Sequence, residues 1–193
     1  MNRSFREQVD ALKASQRELR GSIKLRAALD GFAVSPEGRT CLDVGASTGG
    51  FTSVLLERGA AKVFAVDVGH GQLLGSLRQD PRVVNLERTN IAEAEIDEPI
   101  DVVTVDVSYL SLAQAASELE RLAFARGADL LGLVKPMFEL RRASAPSDRA
   151  SLDEALALAV AGIEAAGWTV VATMDSPVTG AGGVPELLVH GRR

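Results

Sequence analysis

Apolar runs of five to eight residues recur along this chain, separated by stretches with helical spacing. That alternation restricts the fold more than any other feature. The runs are Thr40–Val44, Lys62–Val68, Val83–Glu87, Ile100–Val107 and Asp129–Lys135, each short enough and apolar enough for a strand buried on both faces. Gly50–Arg58, Gln72–Arg78 and Ser111–Phe124 read as the intervening helices, the last opened by a Ser111/Gln114 capping box and closed at Gly127. Ser151 and Glu154 suggest another box, heading a helix that reaches about Ala166. Strands alternating with helices predict an α/β fold with a parallel sheet covered on both sides. The alternation breaks at the end, where Thr169–Met174 and Glu186–His190 are joined by SPVTGAGGVP, too short for a crossover helix. That pair should form an antiparallel hairpin at the sheet margin.

Ahead of this unit, Ser4 and Glu7 form a capping box before Phe5, Val9, Leu12 and Leu19, an amphipathic helix ending near Gly21. A second helical segment, Ile23–Phe32, carries Lys24 near its start. The whole chain of 193 residues has the length of one domain. The single cysteine, Cys41, cannot form an internal disulfide, and no His or Cys cluster suggests a metal. The opening residues lack the apolar stretch of a signal peptide, and no run is long enough to span a bilayer. A cytoplasmic protein without a membrane partner is expected.

Net charge is −5, yet residues 1–39 hold eight basic and five acidic residues. A basic nucleic-acid footprint is therefore absent globally and open only locally. Arg outnumbers Lys 17 to 4, so Lys13, Lys24, Lys62 and Lys135 stand out as places where a compact amine is wanted in place of a guanidinium. Arg17, Arg20 and Arg26 lie near Lys24, and Arg141, Arg142 and Arg149 follow Lys135, so both groups flank the same region of the sheet edge.

Asp43-Val44-Gly45-Ala46-Ser47-Thr48-Gly49-Gly50 stands where the first strand meets a helix. Glycine there permits a tight turn and close backbone approach to a ligand. Asp67 ends the next strand, where a carboxylate can accept from both hydroxyls of a ribose. Together these features point to an adenosine-containing cofactor. A dinucleotide motif would place a second glycine where Ser47 stands. Asp43 would repel a pyrophosphate but attract an ammonium group. With the terminal hairpin, these features favour S-adenosyl-L-methionine over a nicotinamide cofactor.

The stretches CLDVGASTGGFTSVLLERGAAKVFAVDVGHGQL, QDPRVVNLERTN, DVVTVDVSYLSL, LVKPMFE and SPVTG resemble the TlyA-type, hemolysin-A-like, FtsJ-related 2′-O-methyltransferases of ribosomal RNA. The resemblance covers roughly residues 22–190 and divides the chain into an extension, 1–21, and a methyltransferase domain, 22–193. It implies the class I S-adenosylmethionine-dependent methyltransferase fold, seven mostly parallel strands with an antiparallel C-terminal hairpin. The family's Lys-Asp-Lys-Glu tetrad falls on Lys24, Asp106, Lys135 and Glu186. The implied cofactor-binding set is Asp43, Gly45, Ala46, Ser47, Gly49, Gly50, Phe51, Asp67, Val68, Asn90 and Asp106. Asp67 would hold the ribose, Asn90 would lie near the adenine and Asp106 beside the reactive methyl.

A ribose 2′-hydroxyl is a poor nucleophile that must lose its proton as it attacks the methyl. A lysine amine serves as the acceptor only when its pKa falls from about 10.4 toward 7. The resemblance makes Lys135 that base and Lys24 a neighbouring cation, with Asp106 and Glu186 aligning the amines. The chain departs from the family on the substrate side. The small RNA-binding domain that normally leads is represented only by the amphipathic helix, and the S-R-G-G-x-K lead-in reads LRGSIK. ELRRASAPSDR replaces a glycine- and lysine-rich loop, and Gly183-Val184-Pro185 precedes Glu186 without the usual asparagine. The acceptor is thus expected to be RNA, such as a ribosomal subunit, with a partner protein supplying RNA affinity. A small hydroxyl-bearing molecule and a non-catalytic cofactor- or RNA-binding module stand as alternatives.

Overall fold

The computed structural model describes residues 20–144 and 146–193, so the Ser4/Glu7 capping box and most of the amphipathic extension lie outside the described residues. The chain is helical over residues 20–31, here α1, which covers all but Phe32 of the segment predicted over Ile23–Phe32. Seven strands follow: β1 (Thr40–Val44), β2 (Lys62–Asp67), β3 (Val83–Glu87), β4 (Ile100–Val105), β5 (Phe124–Val134), β6 (Thr169–Asp175) and β7 (Leu187–Arg192). The α-helices between them are α2 (Gly50–Glu57), α3 (Gly75–Arg78), α4 (Leu112–Glu118), α5 (Pro136–Glu139) and α6 (Arg149–Ala165).

All seven strands form one sheet in the order β3-β2-β1-β4-β5-β7-β6. β3, β2, β1, β4 and β5 pair in parallel, while β7 runs antiparallel to both β5 and β6. The terminal pair is the expected hairpin, with β7 inserted between β5 and the edge strand β6. The period-two alternation of each strand divides the core. Leu42, Val44, Val103, Val105 and Leu130 pack with Leu112, Ala115, Ala159 and Ile163 of α4 and α6 on one face. Cys41, Val63, Val102, Leu131 and Leu133 pack with Leu25, Leu29, Phe51 and Leu55 of α1 and α2 on the other. Burying each such Leu, Ile or Val is worth about 1.5–3 kcal/mol, which fixes both helix layers and the strand register.

Three local expectations change. The helix predicted over Gln72–Arg78 shrinks to the single turn Gly75–Arg78. The helix predicted over Ser111–Phe124 keeps its capping box but ends at Glu118, passing through a 3-10 turn, Leu119–Arg121, before β5 begins at Phe124. Gly127, expected to close that helix, has φ +77° inside a strand whose pairing with β4 shifts between Ile100 and Val102. The ring of Phe124 meets Trp168 edge-on at 4.9 Å, a tertiary contact that overrides the local helical signal. The last helix is capped by Asp148, whose side chain accepts from the Ser151 N–H, so Ser151 lies inside the helix and does not begin it.

Strand direction places the chemistry. β1, β2, β4 and β5 all finish on one edge, delivering Gly45, Asp67, Asp106 and Lys135 there. Because β7 is inverted, it starts on that same edge, and its Val134–Leu187 register sets Glu186 beside Lys135. The chain reverses its direction of strand addition between β1 and β4, where open α/β sheets form ligand crevices.

Candidate active site

The turn after β1 is built on positive φ angles: +89° at Gly45, +48° at Ser47 and +99° at Gly49. A Cβ on Gly45 would lie 2.5 Å from the Asp106 carbonyl oxygen, so glycine is required both by conformation and by the close approach of the β4 end. Beneath the turn, Asp43 is fully buried. Thr52 donates to its Oδ2 at 2.7 Å and Thr104 to its Oδ1 at 3.1 Å. Burial pushes this carboxyl up to about 7, against the pull of the two threonine hydroxyls. The side chain thus braces the turn from below.

Above it, the Ser47 N–H donates to Asp67 Oδ2 at 2.8 Å and the Gly69 N–H to Oδ1 at 2.7 Å. Asp67 therefore ties the β1 and β2 turns together while each oxygen keeps a second lone pair for a ligand. Glu87, at the end of β3, fixes the next loop by accepting from the Gln72 and Leu73 N–H groups. Its burial would raise the carboxyl, but these bonds and that from Asn85 bring it down to about 2.

These turns enclose a groove in two connected parts. One, about 310 Å³, is lined by Gly45, Ala46, Ser47, Gly50, Phe51 and Ser108 among others. The second, about 220 Å³, shares Gly45, Ser47, Gln72 and Ser108 and adds Asp67, Val68, Asp106 and Tyr109. Their combined size suits a ligand the size of a nucleoside derivative. A larger cleft of about 530 Å³ lies between α4, α5 and α6. It contains none of the glycine-turn or tetrad residues, which line or adjoin the smaller groove.

The tetrad forms two ion pairs. Lys135 Nζ lies 2.5 Å from Asp106 Oδ1 and donates to Ser108 Oγ at 2.8 Å. Lys24 Nζ lies 2.5 Å from Glu186 Oε2, with both residues buried. Burial pushes the Glu186 carboxyl up despite the Lys24 ammonium. Asp106 adds to that rise and Lys135 opposes it, so the two pairs lie within electrostatic reach of each other.

Asn90 is placed otherwise than expected for an adenine contact. Its side chain accepts from the Ala92 N–H and caps the short 3-10 turn Ile91–Glu93, and it is not among the groove-lining residues. Asp43 likewise faces its two threonines and not the groove. The other expected cofactor residues except Gly49 line the groove. Gly49 N-caps α2 and leaves room for Leu77, whose Cδ1 would be 2.1 Å from an added Cβ.

Sequence reasoning missed Ser108, Gln72, Tyr109 and Gly180. Ser108 sits two residues past Asp106, a spacing that in extended backbone puts both side chains on one face, and that spacing was the signal for its meeting Lys135. Gln72 accepts from the Ser47 hydroxyl at 3.0 Å. Tyr109 is 43% exposed at the groove mouth, and burial of its remainder together with the Asp67 charge pushes its phenol up. Gly180 makes room for Glu186, whose Oε1 would lie 2.3 Å from an added Cβ.

The model of the FtsJ-like methyltransferases matches residues 18–193. The chain belongs to the FtsJ-like methyltransferase family. It is 47% identical over 178 residues to the 16S/23S rRNA (cytidine-2′-O)-methyltransferase TlyA of Mycobacterium tuberculosis, covering 88% of this chain and 66% of that protein. Hemolysin A of Brachyspira hyodysenteriae is 39% identical over 184 residues, with 89% and 75% covered. A solved hemolysin-type structure from Streptococcus thermophilus superposes with a TM-score of 0.85 at 36% identity, covering 90% of this chain and 66% of that one. The chain thus spans about two thirds of the M. tuberculosis relative. Among the described residues no acidic, His or Cys group could hold a metal, and no helix is long and apolar enough to cross a membrane.

Proposed function

We propose that this protein transfers a methyl group from S-adenosyl-L-methionine to a ribose 2′-hydroxyl of RNA, with ribosomal RNA as the acceptor. The observation that carries the reading is the pair of lysine–carboxylate contacts at the strand edge, directly beside the glycine-lined groove. The groove fits the methyl donor. Gly45 provides a cradle that any Cβ would fill, Asp67 keeps lone pairs for a ribose, and Ala46, Phe51 and Val68 give apolar walls. When bound there, the donor supplies a methyl made electrophilic by its sulfonium.

The chain's own residues handle the proton. Lys135 Nζ, in its neutral form, receives the hydroxyl proton, while Asp106 and Ser108 fix the direction in which the amine points. Lys24, held by Glu186, puts a second positive charge next to the oxygen that becomes negative as the proton leaves. Holding the hydroxyl close to the groove supplies a further share of the acceleration. The identity to an enzyme named as a ribosomal RNA cytidine-2′-O-methyltransferase supports RNA as the acceptor.

The test is transfer of labelled methyl to ribosomal subunits and isolated ribosomal RNA, followed by digestion to nucleosides. A labelled 2′-O-methyl nucleoside with wild type, lost by at least about 100-fold in Lys135→Ala with cofactor binding retained, is the expected result. Label on a base, or undiminished transfer by Lys135→Ala, would overturn it.

A further inference from the structure

The proton-transfer scheme uses two strand-to-helix turns that share no backbone. One follows β4 and carries Asp106 and Ser108; the other follows β5 and carries Lys135. The amine meets its partners only if the two turns keep a fixed separation. A buried carboxylate outside the tetrad joins them. Glu139 is 7% exposed, and its Oε1 accepts from the Leu112 N–H, the first residue of α4. Its other oxygen, Oε2, is buried with no partner.

Glu139 belongs to the same short helix as the lysine it would control. Lys135 N-caps α5, and its carbonyl accepts from Phe138 at 2.9 Å and Glu139 at 3.2 Å. On the far side, Ser111 caps α4 through a reciprocal pair of bonds with Gln114, which makes the turn ahead of Leu112 stiff. From the Lys135 carbonyl through Glu139 to Leu112 and back to Asp106, the connections form a closed ring of backbone and one side chain. The Lys135–Asp106 contact is the ring's other closure.

An unpartnered buried carboxylate oxygen is costly, and a neutral side chain would satisfy α4 with less penalty. Burial pushes the Glu139 carboxyl up, against the bond from the Leu112 amide. What the position supplies is an acceptor that reaches from the Lys135 turn to the Leu112 amide. We infer that Glu139 is a positioning residue of the methyl-transfer site, holding the Lys135 turn against the Asp106–Ser108 turn so that the amine faces its partners.

This inference rests on Lys135 being the proton acceptor, so its test includes a readout independent of transfer. Lys135 and Lys62 would be labelled competitively with acetic anhydride and quantified by mass spectrometry, in wild type, Glu139→Ala and Glu139→Gln. Glu139→Ala should lower kcat on the order of 10- to 100-fold with KM for S-adenosylmethionine unchanged. Lys135 labelling should rise severalfold relative to Lys62. Glu139→Gln, which keeps an acceptor for the Leu112 amide, should recover most of both. If Glu139→Ala does not fold, Glu139→Asp replaces it, since a carboxylate one methylene shorter falls short of Leu112. Wild-type kcat and labelling in the Ala or Asp variant overturns the inference. If wild type itself transfers nothing to RNA but the labelling change appears, the positioning role stands and the functional reading fails.

Discussion

At the scale of single residues, the site depends on side chains whose freedom is removed by neighbours. Gly180 has an ordinary backbone conformation, with φ −71°, so alanine there is not strained in itself. The added Cβ would instead push against Glu186 Oε1 and displace the carboxylate from Lys24. Gly180→Ala should therefore cut methyl transfer by about tenfold or more while lowering stability by only about 1–2 kcal/mol; transfer assays and urea melts on one preparation would compare the two. A loss of stability with transfer unaffected would remove Glu186 from the site. Asp43 gives a pH prediction. Folding raises its carboxyl from the ordinary 3.8 to about 7, so between these values the folded chain keeps a proton that the unfolded chain has released. Its contribution is most favourable below about pH 4 and declines as pH rises through 7, by on the order of a few kcal/mol. Unfolding free energy measured at pH 5 and pH 8 should fall in wild type and fall less in Asp43→Asn. Equal slopes would mean the two threonine hydroxyls already compensate the buried charge. The tetrad was legible through the family resemblance and the glycine turn through its place between the first strand and a helix, whereas Ser108 and Gly180 look like ordinary loop residues until their partners are placed.

At the scale of elements, parallel strands were legible because their apolar runs are continuous and bounded by turn residues. Phe124–Gly127 was not, since Phe-Ala-Arg-Gly has neither strand alternation nor an apolar run. Its pairing with β4 depends on a bulge and on Trp168, both distant in sequence. Helix starts were ambiguous wherever two capping signals overlapped: Asp148 and Ser151 both qualify, and Asp148 prevails because Ser151 is buried and its amide donates to the Asp148 side chain. The β1–α2 turn is the element on which the groove depends most directly. Gly45→Ala would combine φ +89° with a Cβ 2.5 Å from a backbone oxygen, neither of which can relax by rotating a side chain. A loss on the order of 2–4 kcal/mol is expected, with cofactor binding lost in calorimetry even at temperatures where circular dichroism still reports a folded chain. Unchanged binding would place the ligand away from this turn.

At the scale of the molecule, a net charge of −5 sits uneasily with an RNA substrate, and the described arginines resolve the conflict only in part. Arg26 is paired with Glu57, Arg142 with Glu154, and Arg149 with Asp153, so several of the cations flanking the site are already neutralised by their own fold. A phosphate reaching these three arginines has to displace their carboxylate partners, so the proposed RNA is expected to be held by a small number of local contacts against an unfavourable overall charge. Methyl transfer to ribosomal RNA should accordingly fall with added salt, because each phosphate contact releases condensed counterions, but with a shallow logarithmic slope of about −1 to −3. The Kd for S-adenosylmethionine should change little over the same range, since binding a small molecule releases no counterions condensed on a polyanion. Measuring both from 50 to 300 mM potassium chloride (about a sixfold range, wide enough to resolve a slope of one) separates the acceptor classes. A slope of zero for transfer would favour a small uncharged acceptor over RNA, and a slope steeper than about −5 would mean more phosphate contacts than this reading expects.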